Sequence, residues 1–305
     1  MALIAGLVVH SFIIGVNVRD WWRGRSVTPV DHIVTSLGIS RIFTQFAVTL
    51  VFFLVILFPK SPILQISTDV IDAVYDIMAV NNFCLTSLLS IVLCLNISNL
   101  HTTLFLYLRR MISHRTGRLI VASGIYSVLK TFLILLMANT TNCNSATHNT
   151  TRDSLSKCIY INSIYNIITG TFFPLLFYLT SSVLLFISLY HHTTRMKMSS
   201  NLSINLETYY STMRFVGFTF LYKTMYFFGN ISAFMHYFFY CVTLDWLYLV
   251  LEFLPVLHSS YLIYRTAKLR NQMSKVLQNL VDFVLQRKIM ETVESVEIVA
   301  REVGW

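Results

Sequence analysis

Seven long apolar stretches divide the chain: Met1–Val18, Ile33–Phe58, Val74–Leu100, Leu119–Ala138, Ile164–Tyr190, Phe215–Phe239 and Leu244–Tyr264. Each is close to the roughly 20 residues a helix needs to cross a hydrocarbon layer about 30 Å thick. A membrane strand would alternate lipid-facing and lumen-facing side chains, whereas "TLVFFLVILF" and "SVLLFISLY" are apolar almost without a break. The pattern therefore predicts an all-α fold, a seven-transmembrane helix bundle. The bundle is expected over residues 1–270, with a cytosolic amphipathic tail over 271–305. The odd number of spans and the lack of internal repeats disfavour an inverted-repeat transporter.

Composition agrees with a lipid environment. The chain is 55% hydrophobic and 12% charged, with a mean hydropathy of +0.63, against about 25% charged residues in soluble domains. The net charge of +9 would suit nucleic acid if it were spread over one face. It is instead concentrated after the odd-numbered stretches, in clusters such as Arg109, Arg110, Arg115 and Arg118. Sixteen basic residues fall on that side, and the opposite loops carry Lys60, Arg152 and Lys157. Such asymmetry predicts a lipid bilayer partner and no nucleic acid, with the N-terminus outside and the C-terminus cytosolic. The first stretch has no basic leader segment or cleavage-type small residues, so it is expected to remain as a span.

The longest polar loop, from about Asn139 to Lys157, falls on the outer side. It carries two glycosylation acceptor motifs at Asn139 and Asn149. Cys143 and Cys158 share it, either bonded or as two free thiols. The tail begins basic and apolar and turns acidic after Met290. Its first half is expected to lie on the inner leaflet, held by Lys275, Arg287 and Lys288.

Ionisable groups within spans point to function. Arg41 is expected to face the bundle interior in a structural or gating role, with Ser90, Asn96 or His10 as acceptors. Asp69, Asp72 and Asp76 recur on one helical face. The first two complement a helix N-terminus, while Asp76 is either a ligand-facing carboxylate or a satisfied rim acid. Asp245, Tyr248 and Glu252 repeat that spacing, with Glu252 just before Pro255. Tyr165, Asn166 and Thr169 are placed to line the same cavity or simply to pack. Lys130 and Lys223 suggest snorkelling or a water-filled cavity. A retinal Schiff base is disfavoured because the last span contains no lysine. With no HExxH, GxSxG, Walker-type or GxGxxG motif, no enzyme, cofactor or metal is expected.

Several segments together resemble the type 2 taste receptors, G-protein-coupled receptors that detect bitter compounds. "NVRDWWRGRSVTPVDHIVTSLGISRI", Asn17–Ile42, is similar to that family's first inner loop and second span, ending in Arg41. Ser90, Leu95, Asn99, Leu104, Phe105, Leu106 and Leu108 fit its third-span pattern. Pro174, Ser181, Leu184, Leu185, Ser188, Leu189, His192 and Met196 fit its fifth. Pro255, His258, Ser259, Lys268 and Leu269 fit the seventh, where a His-Ser pair replaces the NPxxY of rhodopsin-like receptors. Departures include His10 for an asparagine, Leu93 for a tyrosine, Asn96 for a lysine and Thr103 for a proline. Glu207-Thr208-Tyr209 replaces a lysine-alanine-histidine. Tyr75 stands at a ligand-contacting tryptophan position and Ala79 at an asparagine position one turn deeper.

The resemblance implies a multi-pass plasma-membrane receptor. A bitter small molecule would contact Asp72, Tyr75, Asp76, Ala79, Tyr165, Thr169, Tyr248 and Glu252. The bundle relay would use Arg41, Ser90, Asn96, His258 and Ser259. A heterotrimeric G protein with a gustducin-like Gα would meet Arg109, Arg110, His192, Arg195 and Lys197. The alternatives are a type 1 vomeronasal-like chemoreceptor and, less favoured, a seven-helix transporter or channel using the intramembrane charges as a relay.

Overall fold

A computed structural model describes residues 2–58, 62–97, 103–147, 164–198, 203–240 and 245–302. Side chains are described over 3–58, 67–93, 115–137, 164–184, 213–236 and 250–290, and at a few positions between. The described residues are helical, without strands. Their helices are α1 (Ala2–Trp22), α2 (Pro29–Leu57), α3 (Pro62–Ile97), α4 (Thr103–Thr147), α5 (Phe173–Met198), α6 (Ser203–Tyr240), α7 (Asp245–Arg265) and α8 (Ala267–Glu302). A π-helical turn, Ile168–Phe172, leads into α5.

Local chemistry sets the first hairpin. Gly24 adopts φ +67°, a conformation open to glycine without a Cβ penalty. Thr28 then caps α2: its hydroxyl accepts from the Asp31 amide at 3.2 Å, and the Asp31 carboxylate accepts from the Thr28 amide at 3.1 Å. Pro29 follows at the first helical position, where its missing N–H costs nothing. Asn17 donates to Thr35 Oγ1 at 2.9 Å, which ties α1 to α2.

Helix α3 is the central element, packing against α2, α4 and α5. Side-chain polarity is reversed relative to a soluble protein. Arg41, Lys130, Lys223, His10 and His258 are buried, while Phe46, Phe53, Phe132 and Phe177 are more than half exposed. That distribution suits a solvent of acyl chains. Among the described residues, five segments are long and apolar enough to cross a bilayer: Leu3–Trp22, Pro29–Leu57, Ser67–Leu93, Arg115–Met137 and Ile164–Leu184. The sixth and seventh expected stretches form α6 and α7, and Lys223, Asn230 and several tyrosines lower the hydropathy of α6.

Helix limits differ from expectation where no breaker intervenes. Helix α4 continues to Thr147, because Ile125 to Thr147 contains no glycine or proline. Asn139 and Cys143 therefore sit in a helix and not in a loop; Asn149 and Cys158 lie outside the described residues. The chain forms two compact units, Met1–Ser260 and Tyr261–Trp305. In the second, α8 runs unbroken to Glu302, so the acidic end of the tail is helical.

Candidate functional site

Two polar nodes bind the helices of the first unit, with a cavity between them. In the first node, Arg41 reaches from α2 to α7 and is 1% exposed. One terminal nitrogen donates to the Pro255 carbonyl at 3.2 Å and to the Ser259 hydroxyl. The other lies 3.1 Å from His258 Nδ1. The far side of that imidazole is 3.3 Å from Thr219 Oγ1, and the ring packs on Tyr222 with centroids 4.9 Å apart. Arg41, His258 and Ser259, singled out separately in the sequence, thus form one connection from α2 through α7 to α6.

The acceptors expected for Arg41 are not the ones it uses. Ser90 joins α3 to α5 instead, 3.2 Å from the Ser182 hydroxyl and accepting from Ser181 at 3.0 Å. His10 is fully buried without a hydrogen bond to Arg41, and the Asn96 side chain lies outside the described residues. The guanidinium points at α7, where the carbonyl of Pro255 and the His-Ser pair are grouped on one turn.

The second node joins α3, α4 and the start of the fifth span. Lys130 Nζ is 2.7 Å from the Asp76 carboxylate and also bonds to Asn166 Oδ1. Thr131 donates to the same carboxylate oxygen at 2.9 Å. Lys130 is 3% exposed and Asp76 25%, so this lysine does not snorkel. Gly170, in the π turn, makes room for it: a Cβ there would stand 3.2 Å from Nζ.

Beside this node opens a cavity of about 290 Å³, lined in part by Tyr75, Asp76, Ala79, Asn166, Tyr226 and Asn230. Tyr75 and Tyr226 hydroxyls are 3.5 Å apart, and the Tyr75 hydroxyl also interacts with the Glu252 carboxylate. Glu252 is buried and lines a smaller cavity that shares Ala79, Phe83 and Tyr226 with the larger one.

Of the expected ligand residues, Tyr75, Asp76 and Ala79 line the main cavity, and Glu252 joins them through Tyr75. Thr169 is turned elsewhere. It bonds the Tyr165 carbonyl at 2.7 Å, and its own carbonyl accepts from Tyr126 at 2.7 Å beside a separate apolar groove. Tyr165 and Asp72 do not line the main cavity, and the Tyr248 side chain lies outside the described residues. So do the side chains of Arg109, Arg110, His192, Arg195 and Lys197. Sequence reasoning missed Tyr222, Tyr226 and Asn230, whose i, i+4, i+8 spacing places them on one face of α6.

The sequence pattern of the taste receptor protein (TAS2R) family matches residues 1–281, covering both nodes and the cavity. The chain belongs to the TAS2R family. TAS2R relatives include taste receptor type 2 member 9 of Papio hamadryas, 28% identical over 203 residues, 64% of this chain and 63% of that protein. Member 123 of Rattus norvegicus is 27% identical over 184 residues, 59% of this chain and 50% of its own length. Member 4 of Homo sapiens is 26% identical over 215 residues, 67% of this chain and 68% of that protein. The chain therefore spans about half to two thirds of these relatives' lengths. TAS2R membership, with several helices apolar enough to span a bilayer, makes this a membrane protein.

Proposed function

We propose that the chain is a seven-span G-protein-coupled receptor of the plasma membrane that senses bitter small molecules. Its N-terminus faces outside and its tail lies in the cytosol. The observation that carries this reading is the cavity lined by Tyr75, Asp76, Asn166 and Tyr226, set beside the Arg41–His258–Ser259 connection in a TAS2R chain. Ligand entering between α3, the fifth span and α6 contacts residues that reach α7 through Tyr75 and Glu252. A ligand shifts the bundle only as far as it prefers one arrangement over the other. The three bonds from Arg41 to α7 are the natural element for it to bias.

The readout is activation of a heterotrimeric G protein with a gustducin-like Gα, contacted around Arg109, Arg110, His192, Arg195 and Lys197. Glycosylation at Asn139 or Asn149 belongs to the same proposal. An agonist screen in cells expressing a promiscuous Gα tests it. Calcium release that falls at least tenfold in potency with Tyr226→Ala, at unchanged surface expression, supports the pocket. Ion flux without nucleotide exchange on any Gα would instead favour a transporter or channel.

A further inference from the structure

Lys223, in the smaller cavity, has no part in the reading above. That cavity holds about 20 Å³ and is lined by Arg41, Asn82, Lys223, Glu252 and aromatic residues from α3 and α6. A space of that size accommodates one particle about as large as water. Lys223 is 1% exposed, and its ammonium makes no hydrogen bond. It stands over ring faces instead, 3.7 Å from the Phe83 centroid and 5.2 Å from that of Tyr222. Arg41 Nε is also a buried donor without a partner; of the other lining polar groups, Asn82 donates to Thr44 at 3.1 Å while its Oδ1 and the Gln45 amide are unpartnered.

Charge decides what the space is for. The charged side chains lining it are Arg41, Lys223 and Glu252. The Arg41 partners at α7 are a carbonyl, a hydroxyl and an imidazole, all neutral acceptors. Lys130 has its own carboxylate in Asp76 and gives none to this group. With all three groups ionised, two cations and one carboxylate leave a single positive charge in the bundle interior, where an uncompensated charge costs several kcal/mol. A metal cation would add to that charge. A neutral water would satisfy a donor without offsetting it. Ring quadrupoles supply part of the compensation for Lys223, on the order of 2 kcal/mol when desolvated.

We infer that the small cavity between Arg41 and Lys223 is a binding site for one monovalent anion of about chloride's size. The Lys223 ammonium and Arg41 Nε–H are its donors. Bound there, the anion neutralises the interior and ties α2 to α6.

The test uses purified full-length protein in lipid nanodiscs and needs neither agonist nor G protein, so it stands or falls apart from the receptor reading. Thermal unfolding is followed while sodium chloride replaces sodium isethionate, whose anion is too large for the cavity, at constant ionic strength. A saturable rise in Tm, on the order of a few degrees, with bromide able to substitute for chloride, is expected. Lys223→Met, close in volume, abolishes the dependence. Where that variant fails to fold, Asn82→Asp supplies a fixed negative charge beside Lys223. It is expected to raise Tm in isethionate and to remove the chloride response. A Tm indifferent to the anion in the unaltered protein, or a chloride response that survives Lys223→Met or Asn82→Asp, overturns the proposal.

Discussion

Lys130 and Asp76, fifty-four positions apart, meet as an ion pair of 2.7 Å in which the lysine is almost wholly buried. The carboxylate is therefore committed to the protein before any ligand arrives. Removing one member leaves the other desolvated without a counter-charge. Asp76→Ala is expected to destabilise by about 2–3 kcal/mol. The double replacement Asp76→Ala with Lys130→Met is expected to recover most of that loss. Thermal unfolding of the four proteins of this cycle measures the coupling. An additive cycle would sink the pair as a stabilising contact. A reduced agonist response in Asp76→Ala alone consequently says nothing about ligand contact unless the double variant is tested beside it.

Arg41 carries a planar fork whose two ends serve separate acceptors on α7. Lysine presents a compact ammonium that cannot reproduce that fork. Arg41→Lys is expected to cost about 3 kcal/mol, nearly as much as Arg41→Ala, because His258 and Ser259 lose their charge-assisted partner in both. The check is chemical denaturation of purified protein, read against Ser259→Ala, which should cost about 1–2 kcal/mol as the loss of one bond. A fully tolerated lysine would mean that only the charge matters here.

Two helical glycines should respond in opposite directions. A Cβ on Gly6 would run into the Gln45 amide of α2, whereas one on Gly124 would meet nothing within 4 Å. Replacing glycine with alanine in a helix otherwise gains about 1 kcal/mol of propensity. Gly124→Ala is thus expected to be neutral or stabilising by up to about 1 kcal/mol. Gly6→Ala should lose about 1–3 kcal/mol through overpacking, and Gln45→Ala should rescue it. Melting temperatures of the three variants decide, with failed rescue counting against the α1–α2 close approach.

Residue types and spacing made part of this architecture legible without coordinates. The apolar runs gave the helices, although α2 begins earlier than its run from Ile33, at Pro29 under a Thr28–Asp31 capping box. Arg41 stood out because a charged group deep in a span is expensive, and His258 and Ser259 because the segment around them resembles the type 2 taste receptors. Their mutual contact, across more than 200 residues of chain, was not legible, since no local period encodes which faces of distant helices meet. The same holds for Lys130, whose isolated position suggested snorkelling until Asp76 and Asn166 were seen to surround it. Thr169 was misplaced for the same reason. It follows Tyr165 by one regular turn on a face away from the cavity, while Asn166 and Gly170 take the cavity side, and no local period tells which of the two faces meets the bundle.

Tyr75 is the hinge between the main cavity and the α7 carboxylate. Its hydroxyl lies 3.5 Å from that of Tyr226 and interacts with the Glu252 carboxylate. Tyr75→Phe removes the hydroxyl and leaves a buried carboxylate without it, a loss of about 1–3 kcal/mol. Glu252→Gln makes the group neutral, so the further loss on adding Tyr75→Phe should shrink to about 1 kcal/mol or less. Under the proposed receptor reading, Tyr75→Phe should also shift agonist potency while surface expression stays within about twofold. The stability cycle and the dose–response curve are independent readouts of one contact. Were Tyr75→Phe as stable as the unaltered protein and Glu252→Gln to change nothing in that comparison, the polar path from the cavity to α7 would have to run through other residues. Tyr226 and Asn230 on α6 would then be the next to replace.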